Sequence, residues 1–185
     1  MLKRLLVALV LAVFAGTSIT ACSATDNKNL SGQGAQDALA TVVSNSVKEF
    51  DKAGGSETLV VGKTQYVVIY DPSAPEGEQV VSANLTDNSA PTLEDPSAIS
   101  IHALSELVGS SKVKEAEVSL TKNVFTIQGS DFLVELFVTD DLIYKSNIWS
   151  TAAGTQDPQV VVTTYGLDKA TKELFDSATA KQPTP

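Results

Sequence analysis

The sequence contains few of the residues that usually carry chemistry. Among its 185 residues there is one cysteine, Cys22, and one histidine, His102, and no arginine follows Arg4. A single cysteine excludes an intramolecular disulfide. Arginine is the usual bidentate ligand of phosphate groups, and 22 acidic against 13 basic residues leave no basic patch for a polyanion. We therefore expect no nucleic-acid partner.

Motifs for catalysis and cofactor binding are also missing. The sequence contains neither Gly-x-Ser-x-Gly nor His-Glu-x-x-His, and it has no glycine-rich phosphate-binding or dinucleotide-binding motif. His102 falls in a predicted helix, where a solvated or hydrogen-bonded histidine is the simpler interpretation. Carboxylates in two predicted turns could supply oxygen ligands to calcium, but their spacing matches no calcium-binding loop. We expect no enzyme activity, no cofactor and no metal site. These carboxylates are Asp71, Glu76 and Glu78 in one turn and Asp140 and Asp141 in the other.

The N-terminus has the three parts of a secretory signal. Lys3 and Arg4 precede an apolar run that ends at Gly16, and small residues follow it. The run is shorter than the roughly 20 residues of a membrane-spanning helix. A soluble N-terminal helix would leave the basic start and the abrupt polar stop unexplained. We predict a signal peptide over residues 1–21.

The segment Ile19-Thr20-Ala21-Cys22 resembles the lipobox of bacterial lipoproteins. The resemblance implies cleavage between Ala21 and Cys22 and a diacylglyceryl group on the Cys22 sulfur. Two acyl chains are enough for stable anchoring, whereas one gives only marginal binding. An ordinary secretory signal followed by a chance cysteine is the alternative. The expected location is the extracytoplasmic face of the cell membrane, with the protein lipid-anchored.

Charge supports a lipid anchor over electrostatic attachment. Removing Lys3 and Arg4 with the signal leaves 11 lysines, no arginine and 22 acidic residues, a formal charge of −11. A chain of this charge is not attracted to anionic lipids. The lipid on Cys22 is therefore the expected contact with the membrane.

The remaining chain has the pattern of a tether, one domain and a tail. Residues 22–34 are small and polar and predict a flexible tether. Residues 35–178 have the length and patterning of a single domain. Residues 179–185, which end in Lys-Gln-Pro-Thr-Pro, predict a disordered tail.

Within the domain, apolar periodicity predicts helices and strands in the order helix, strands, helix, strands, helix. No parallel βαβ alternation occurs, so we predict an α+β fold with a single antiparallel sheet and helices packed on one face. Gly62-Lys63 is a predicted hairpin turn. The predicted helices are 35–52, 97–108 and 168–178. The predicted strands are 57–61, 64–70, 79–85, 114–120, 124–128, 132–139, 142–150 and 159–165.

Two predicted strands are apolar at most positions on both faces, Tyr66–Tyr70 and Phe132–Val138. A sheet with one wet face would alternate more cleanly. Either helices cover both faces of these strands, or one face lines an apolar cavity. Core packing is likewise the simpler interpretation of the aromatic residues on strands.

The segments 124–128, 132–138, 140–143 and 159–166 resemble successive strands of lipid-handling lipoproteins, namely the LolA/LolB-like group and its LprG- and LppX-type relatives. The resemblance implies an open, strongly curved antiparallel half-barrel whose helices enclose a cavity for acyl chains. This chain is shorter than is usual for the mycobacterial members, which implies that the cavity is small, filled or absent. The expected lining residues are Tyr66, Val68, Phe132, Val134, Leu136 and Trp149.

Two functions are compatible with these sequence features. The first is a membrane-anchored carrier that binds lipid or acylated molecules. The second is a tethered module with a solid core and no ligand, which contacts a protein partner in the cell envelope. An enzyme ranks third, and turnover abolished by His102→Ala would support it.

Overall fold

The structure is a computed structural model that describes residues 29–87, 89–150 and 157–180. Within these residues ten strands form one sheet and four helices pack against it. The strands are β1 (Leu30–Ser31), β2 (Gly55–Val61), β3 (Thr64–Tyr70), β4 (Val80–Asn84), β5 (Thr92–Leu93), β6 (Glu117–Thr121), β7 (Val124–Gln128), β8 (Phe132–Thr139), β9 (Leu142–Ser150) and β10 (Gln159–Tyr165). The helices are α1 (Gln33–Ala53), α2 (Ser100–Gly109), α3 (Ser111–Lys114) and α4 (Lys169–Thr179), and a 3₁₀ turn spans Pro96–Ala98.

The sheet is antiparallel throughout and open. Its strand order is β1-β6-β7-β8-β9-β10-β2-β3-β4-β5, so β10 lies between β9 and β2 and joins the two hairpin groups. The two terminal strands, β1 and β5, do not pair with each other, and the sheet is not closed into a barrel. The predicted α+β class and the single antiparallel sheet are confirmed.

Tight turns fix the register of the hairpins. Lys122 and Asn123 between β6 and β7 both have positive φ, and so do Asp140 and Asp141 between β8 and β9. Two successive left-handed residues are the signature of a type I′ turn, whose twist matches that of the strands. The predicted Gly62-Lys63 turn is confirmed, since Val61 pairs with Thr64 across it.

Most predicted boundaries agree with the structure, and the differences are local. Strands β3, β7, β8, β9 and β10 have the predicted bounds. The predicted helix 97–108 is interrupted at Ile99, because Ile99 has an extended backbone between the 3₁₀ turn and α2. The predicted strand 114–120 begins only at Glu117, since Ser111–Lys114 form the short helix α3.

Helix α1 packs along the middle of the sheet and forms the main core. Of the apolar stripe that spacing predicts in α1, Leu39, Val42, Val43 and Phe50 are buried together with the inward residues of β6 to β9, whereas Val47 is only partly buried against them. Each large apolar side chain buried in this way contributes about 1.5–3 kcal/mol. Buried Ser46 adds a polar link, because its Oγ accepts from the Ile143 N–H at 3.0 Å and donates to the Val42 carbonyl. The buried stripe consists of Ala35, Leu39, Val42, Val43 and Phe50.

Helix α4 lies on the opposite face of the sheet, so the prediction that all helices pack on one face is wrong. Val68 and Val80 face the main core, whereas their neighbours Val67 and Val81 form a second cluster with Phe175 of α4. Successive strand residues point to opposite faces. The strand β3 is therefore apolar on both faces because helices cover both.

The predicted signal peptide, the cleavage site at Ala21 and Cys22, and residues 181–185 of the predicted tail lie outside the described residues. Thr179 is not tail, because it is the last residue of α4, and the Ala180 N–H donates to the Asp176 carbonyl. The predicted tether lies outside them up to residue 28. Residues 30–34 are not tether, because Leu30 and Ser31 pair with Leu120 and Ser119 of β6 and α1 begins at Gln33. None of the helices in the described part of the chain has the length and hydropathy of a membrane span.

Candidate functional site

A partly open cleft of about 340 Å³ lies between the sheet and the segment that contains the 3₁₀ turn and α2. The sheet side is formed by inward residues of β2, β8, β9 and β10. Most of its wall is apolar, and the polar remainder includes hydroxyl groups and the carboxyl group of Glu57. The sheet residues are Glu57, Leu59, Val134, Ile143, Ser146, Ile148, Gln159, Val161 and Thr163, and the opposite wall is Ser97, Ala98, Ser100, Ile101, Ala103, Leu104 and Leu107.

The size of side chains explains why the space is empty. Helix α1 fills the gap beneath it with Leu39 and Phe50, which are at most 1% exposed. The segment over the cleft instead contributes small residues such as Ala98 and Ser100, and only Ile101 of α2 is fully buried. Because Ala98 and Ser100 are small, they leave space between this segment and the sheet, whereas the large side chains of α1 fill the corresponding space in the rest of the core.

Glu57 is the charged residue of the cleft wall and is 1% exposed. It pairs with Thr163 of β10 and with Val68 of β3, so it lies inside the sheet. Its two carboxyl oxygens accept hydrogen bonds from the backbone N–H groups of Ser100 and of Ile101, the latter at 2.8 Å.

These hydrogen bonds cap helix α2 from a distant strand. The first N–H groups of a helix have no partner within it, and a serine, threonine, aspartate or asparagine usually supplies one. The N-cap of α2 is Ile99, whose side chain has no acceptor, so Glu57 takes this role. Burial raises the pKa of Glu57 above 4.5, although the hydrogen bonds from Ser100 and Ile101 act in the opposite direction.

An aromatic cluster fixes α2 beside the cleft. The ring of Phe50 stacks on Tyr70 with 5.8 Å between centroids, and His102 meets both rings edge-on. His102 Nε2 also lies 2.7 Å from Asp51 Oδ1 on α1. Through these contacts His102 packs α2 against α1 and against Tyr70 of β3.

The structure brings together only some of the predicted lining residues. Val134 lines the cleft. Val68 and Leu136 are buried in the main core, and Phe132 packs partly buried against it. Tyr66 pairs with Leu59 of the cleft wall but is 39% exposed.

Trp149 lies on the opposite side of the sheet. It pairs with Leu133, whereas the cleft residue Ile148 pairs with Val134. The cleft residues Glu57, Leu104 and Val161 were not predicted from the sequence. The sequence did contain one signal for this site: Glu57 is a single glutamate in a predicted strand, two residues before Leu59.

The acidic turns considered as calcium ligands have other structural roles. Asp71 accepts from the backbone N–H and the hydroxyl of Ser73 and from Lys172 Nζ. Asp140 and Asp141 adopt the left-handed conformation of a hairpin turn. In the parts of the chain that the structure describes, no three histidine, cysteine, aspartate or glutamate residues are grouped as metal ligands would be.

Comparison with known proteins gives no match to a family model and none to a curated protein sequence.

Proposed function

We propose that this chain is a lipoprotein anchored through Cys22 at the extracytoplasmic face of the cell membrane, and that its domain binds an acyl chain in the cleft. The observation that carries the proposal is the apolar cleft between the sheet and the α2 segment. The segment Ile19-Thr20-Ala21-Cys22, with its resemblance to a lipobox, supports the anchor. We include in the proposal a half-barrel curvature of the sheet around the cleft.

The size of the cleft limits the ligand. Small-molecule sites in proteins span about 300–1,000 Å³, and a cleft of about 340 Å³ lies at the lower end of that range. This volume suits one acyl chain better than two. Burial of the chain against Leu59, Leu104 and Val161 would contribute about 0.8 kcal/mol per methylene group.

Native mass spectrometry tests the binding. The chain from residue 22 onward, with Cys22→Ser to prevent lipidation, would be purified and measured with and without added fluorescent fatty acid. We expect a bound species with the mass of protein plus one acyl ligand. An apo mass alone, together with no uptake of the fluorescent probe, would contradict the proposal.

The anchor has a separate test. Metabolic labelling with a radioactive or alkyne fatty acid would mark the full-length protein, and Cys22→Ala would abolish both the label and the membrane association. A Cys22→Ala protein that remained membrane-bound after removal of its signal would contradict the anchor without bearing on the cleft.

A solid-core module that contacts an envelope protein is the second candidate. It is favoured by the tight filling beneath α1 and by the sheet face that carries Trp149, Leu133 and Phe137, which are only half-buried. This candidate predicts that Trp149→Ser would reduce cross-linking to a partner in intact cells. The acyl-binding candidate predicts instead that this substitution has no effect on ligand uptake.

A further inference from the structure

The polar part of the cleft restricts which acyl ligands fit. The N-terminus of α2 is the place where an anionic head group would normally bind, because free N–H groups and the helix dipole attract negative charge there. In this chain the N–H groups of Ser100 and Ile101 already donate to Glu57. A ligand carboxylate or phosphate would therefore meet a buried acid instead of free donors.

The remaining side chains of the cleft wall offer no compensating charge. Among the described residues, the wall contains no lysine, and its polar members besides Glu57 are serines, a threonine and a glutamine. Ser146 and Thr163 lie on the cleft wall with Glu57 and are 8% and 7% exposed. An ionised carboxylate has about four acceptor positions. The backbone of α2 uses two of them, and the Ser100 hydroxyl uses a third. Glu57 thus retains capacity to accept from a ligand hydroxyl.

We propose that Glu57 is a specificity-determining residue that makes the cleft select uncharged, hydroxyl-bearing acyl lipids over anionic ones. This inference rests on the proposed function, since it names the ligand class of the same cleft. The hydroxyl of the ligand donates to a carboxyl oxygen of Glu57, and the acyl chain lies against Leu59, Leu104 and Val161. Fatty acids and phosphate-bearing lipids place a negative charge beside the buried acid and bind more weakly.

Three probes with the same acyl chain separate the contributions of charge and hydrogen bonding. Monolaurin is uncharged and has hydroxyl donors, methyl laurate is uncharged without a donor, and laurate is anionic. Calorimetry at about pH 8 would use the chain from residue 22 with Cys22→Ser. We expect monolaurin to bind most tightly, methyl laurate less tightly, and laurate about tenfold more weakly than monolaurin, which corresponds to about 1.4 kcal/mol.

The variant Glu57→Gln removes the charge and leaves the shape. We expect the preference for monolaurin over laurate to fall from about tenfold to within about threefold. Glu117→Gln, an exposed position on strand β6 near one end of the sheet, makes the same change in net charge away from the cleft and should keep the full preference. An equal preference in the Glu57→Gln and Glu117→Gln variants would overturn the inference.

A measurement on the unsubstituted protein covers the case in which Glu57→Gln disturbs α2. Dodecyl sulfonate stays charged at all accessible pH values, so its binding should strengthen as pH falls and Glu57 takes up a proton. The titratable groups around Glu57 are His102 on α2, with its partner Asp51 on α1, and Tyr165 on β10. His102→Asn is therefore measured in parallel and should keep the effect. A pH-independent affinity for the sulfonate would contradict the inference.

Failure of the two proposals gives different results. If none of the probes binds at any pH, acyl binding itself is wrong. If laurate and monolaurin bind equally well to the unsubstituted protein, the cleft binds acyl chains but Glu57 does not select among them.

Discussion

Lys172 Nζ lies 3.0 Å from Asp71 Oδ2 and joins helix α4 to the loop after β3. Asp71 directly follows the last residue of β3, and its side chain is only 4% exposed. Burial alone would raise the pKa of this carboxyl, but the hydrogen bonds from Ser73 and Lys172 outweigh it and lower the pKa below 3.8. The ion pair therefore fixes α4 on the face of the sheet opposite to α1.

Lys172→Met should destabilise the protein by about 1–3 kcal/mol, because a buried carboxylate loses its charged donor. The free energy of unfolding from urea titration measures the loss. Lys169→Met makes the same charge change at a side chain that is 91% exposed and lies 3.7 Å from Glu173. That control should stay within about 0.5 kcal/mol of the unsubstituted protein. Equal losses in the two variants would contradict the role of the pair.

Glu57 should make stability depend on pH in the unusual direction for a carboxylate. Its pKa in the folded chain is raised above 4.5, so the folded state holds the proton more tightly than the unfolded state. Its contribution to stability is then full below about pH 4.5 and is lost as pH rises through the raised pKa. Glu57→Gln has no such titration.

Urea midpoints of the two proteins, measured from about pH 4 to pH 8, should therefore diverge with rising pH, as the unsubstituted protein loses stability relative to the variant. The remaining titratable groups of the chain are the same in both proteins. Parallel curves over the whole range would show that Glu57 has its ordinary pKa in the folded chain.

Gly55 is a second sensitive position. A Cβ placed there would lie 2.3 Å from the Thr164 carbonyl oxygen and 2.6 Å from the Phe50 ring. Because the backbone of β10 and a fully buried ring must both move, Gly55→Ala should cost about 1–3 kcal/mol in the free energy of unfolding. Gly109→Ala meets no atom within 4 Å and should be neutral or stabilise by up to about 1 kcal/mol.

Adjacent residues of β10 provide a matched test of the cleft. Val161 lines it and is 1% exposed, whereas Val162 points to the other side of the sheet and is 40% exposed. Val161→Phe adds volume to the cleft and should reduce uptake of a fluorescent fatty acid by at least about tenfold. Val162→Phe should leave uptake unchanged. Similar uptake by both variants would place the ligand elsewhere.

The strand boundaries could be predicted because their signals are local. Asn123, Asp140 and Asp141 tolerate the left-handed conformation that their turns require, and Gly62 has it without strain. The alternation of apolar residues between these turns then defines the strands. No distant contact is needed for either step, and β7, β8, β9 and β10 accordingly have the predicted bounds.

The positions that depend on distant partners could not be predicted. Helix α4 covers the face of β3 that carries Val67 and Ile69, through Phe175 and the Asp71–Lys172 pair, and these partners are far apart in sequence. The place of Trp149 depends on the pairing of β8 with β9, where an irregularity between Phe137 and Val138 shifts the register. A shift of one residue exchanges the two faces of a strand.

The candidate site was even less accessible from sequence. Val134 was predicted from the apolar character of β8, but the cleft exists because Ala98 and Ser100 face the sheet, and small residues give no periodic signal. Glu57 caps a helix that begins at Ser100, which only the folded chain brings within hydrogen-bond distance. The volume of a cavity depends on how well segments distant in sequence fill the space between them, and a local sequence pattern does not contain that information.

The sheet ends on both sides in a strand of only two residues, β1 and β5. Long exposed edges invite strands of another molecule to pair with them, and very short edge strands are one way in which natural proteins prevent this. If the proposed anchor holds the protein at high local density on a membrane, such protection would limit assembly into aggregates. The pairing of Leu30 and Ser31 with β6 therefore covers a strand edge that could otherwise pair with another molecule. This covered edge lies a few residues from the predicted anchor, Cys22.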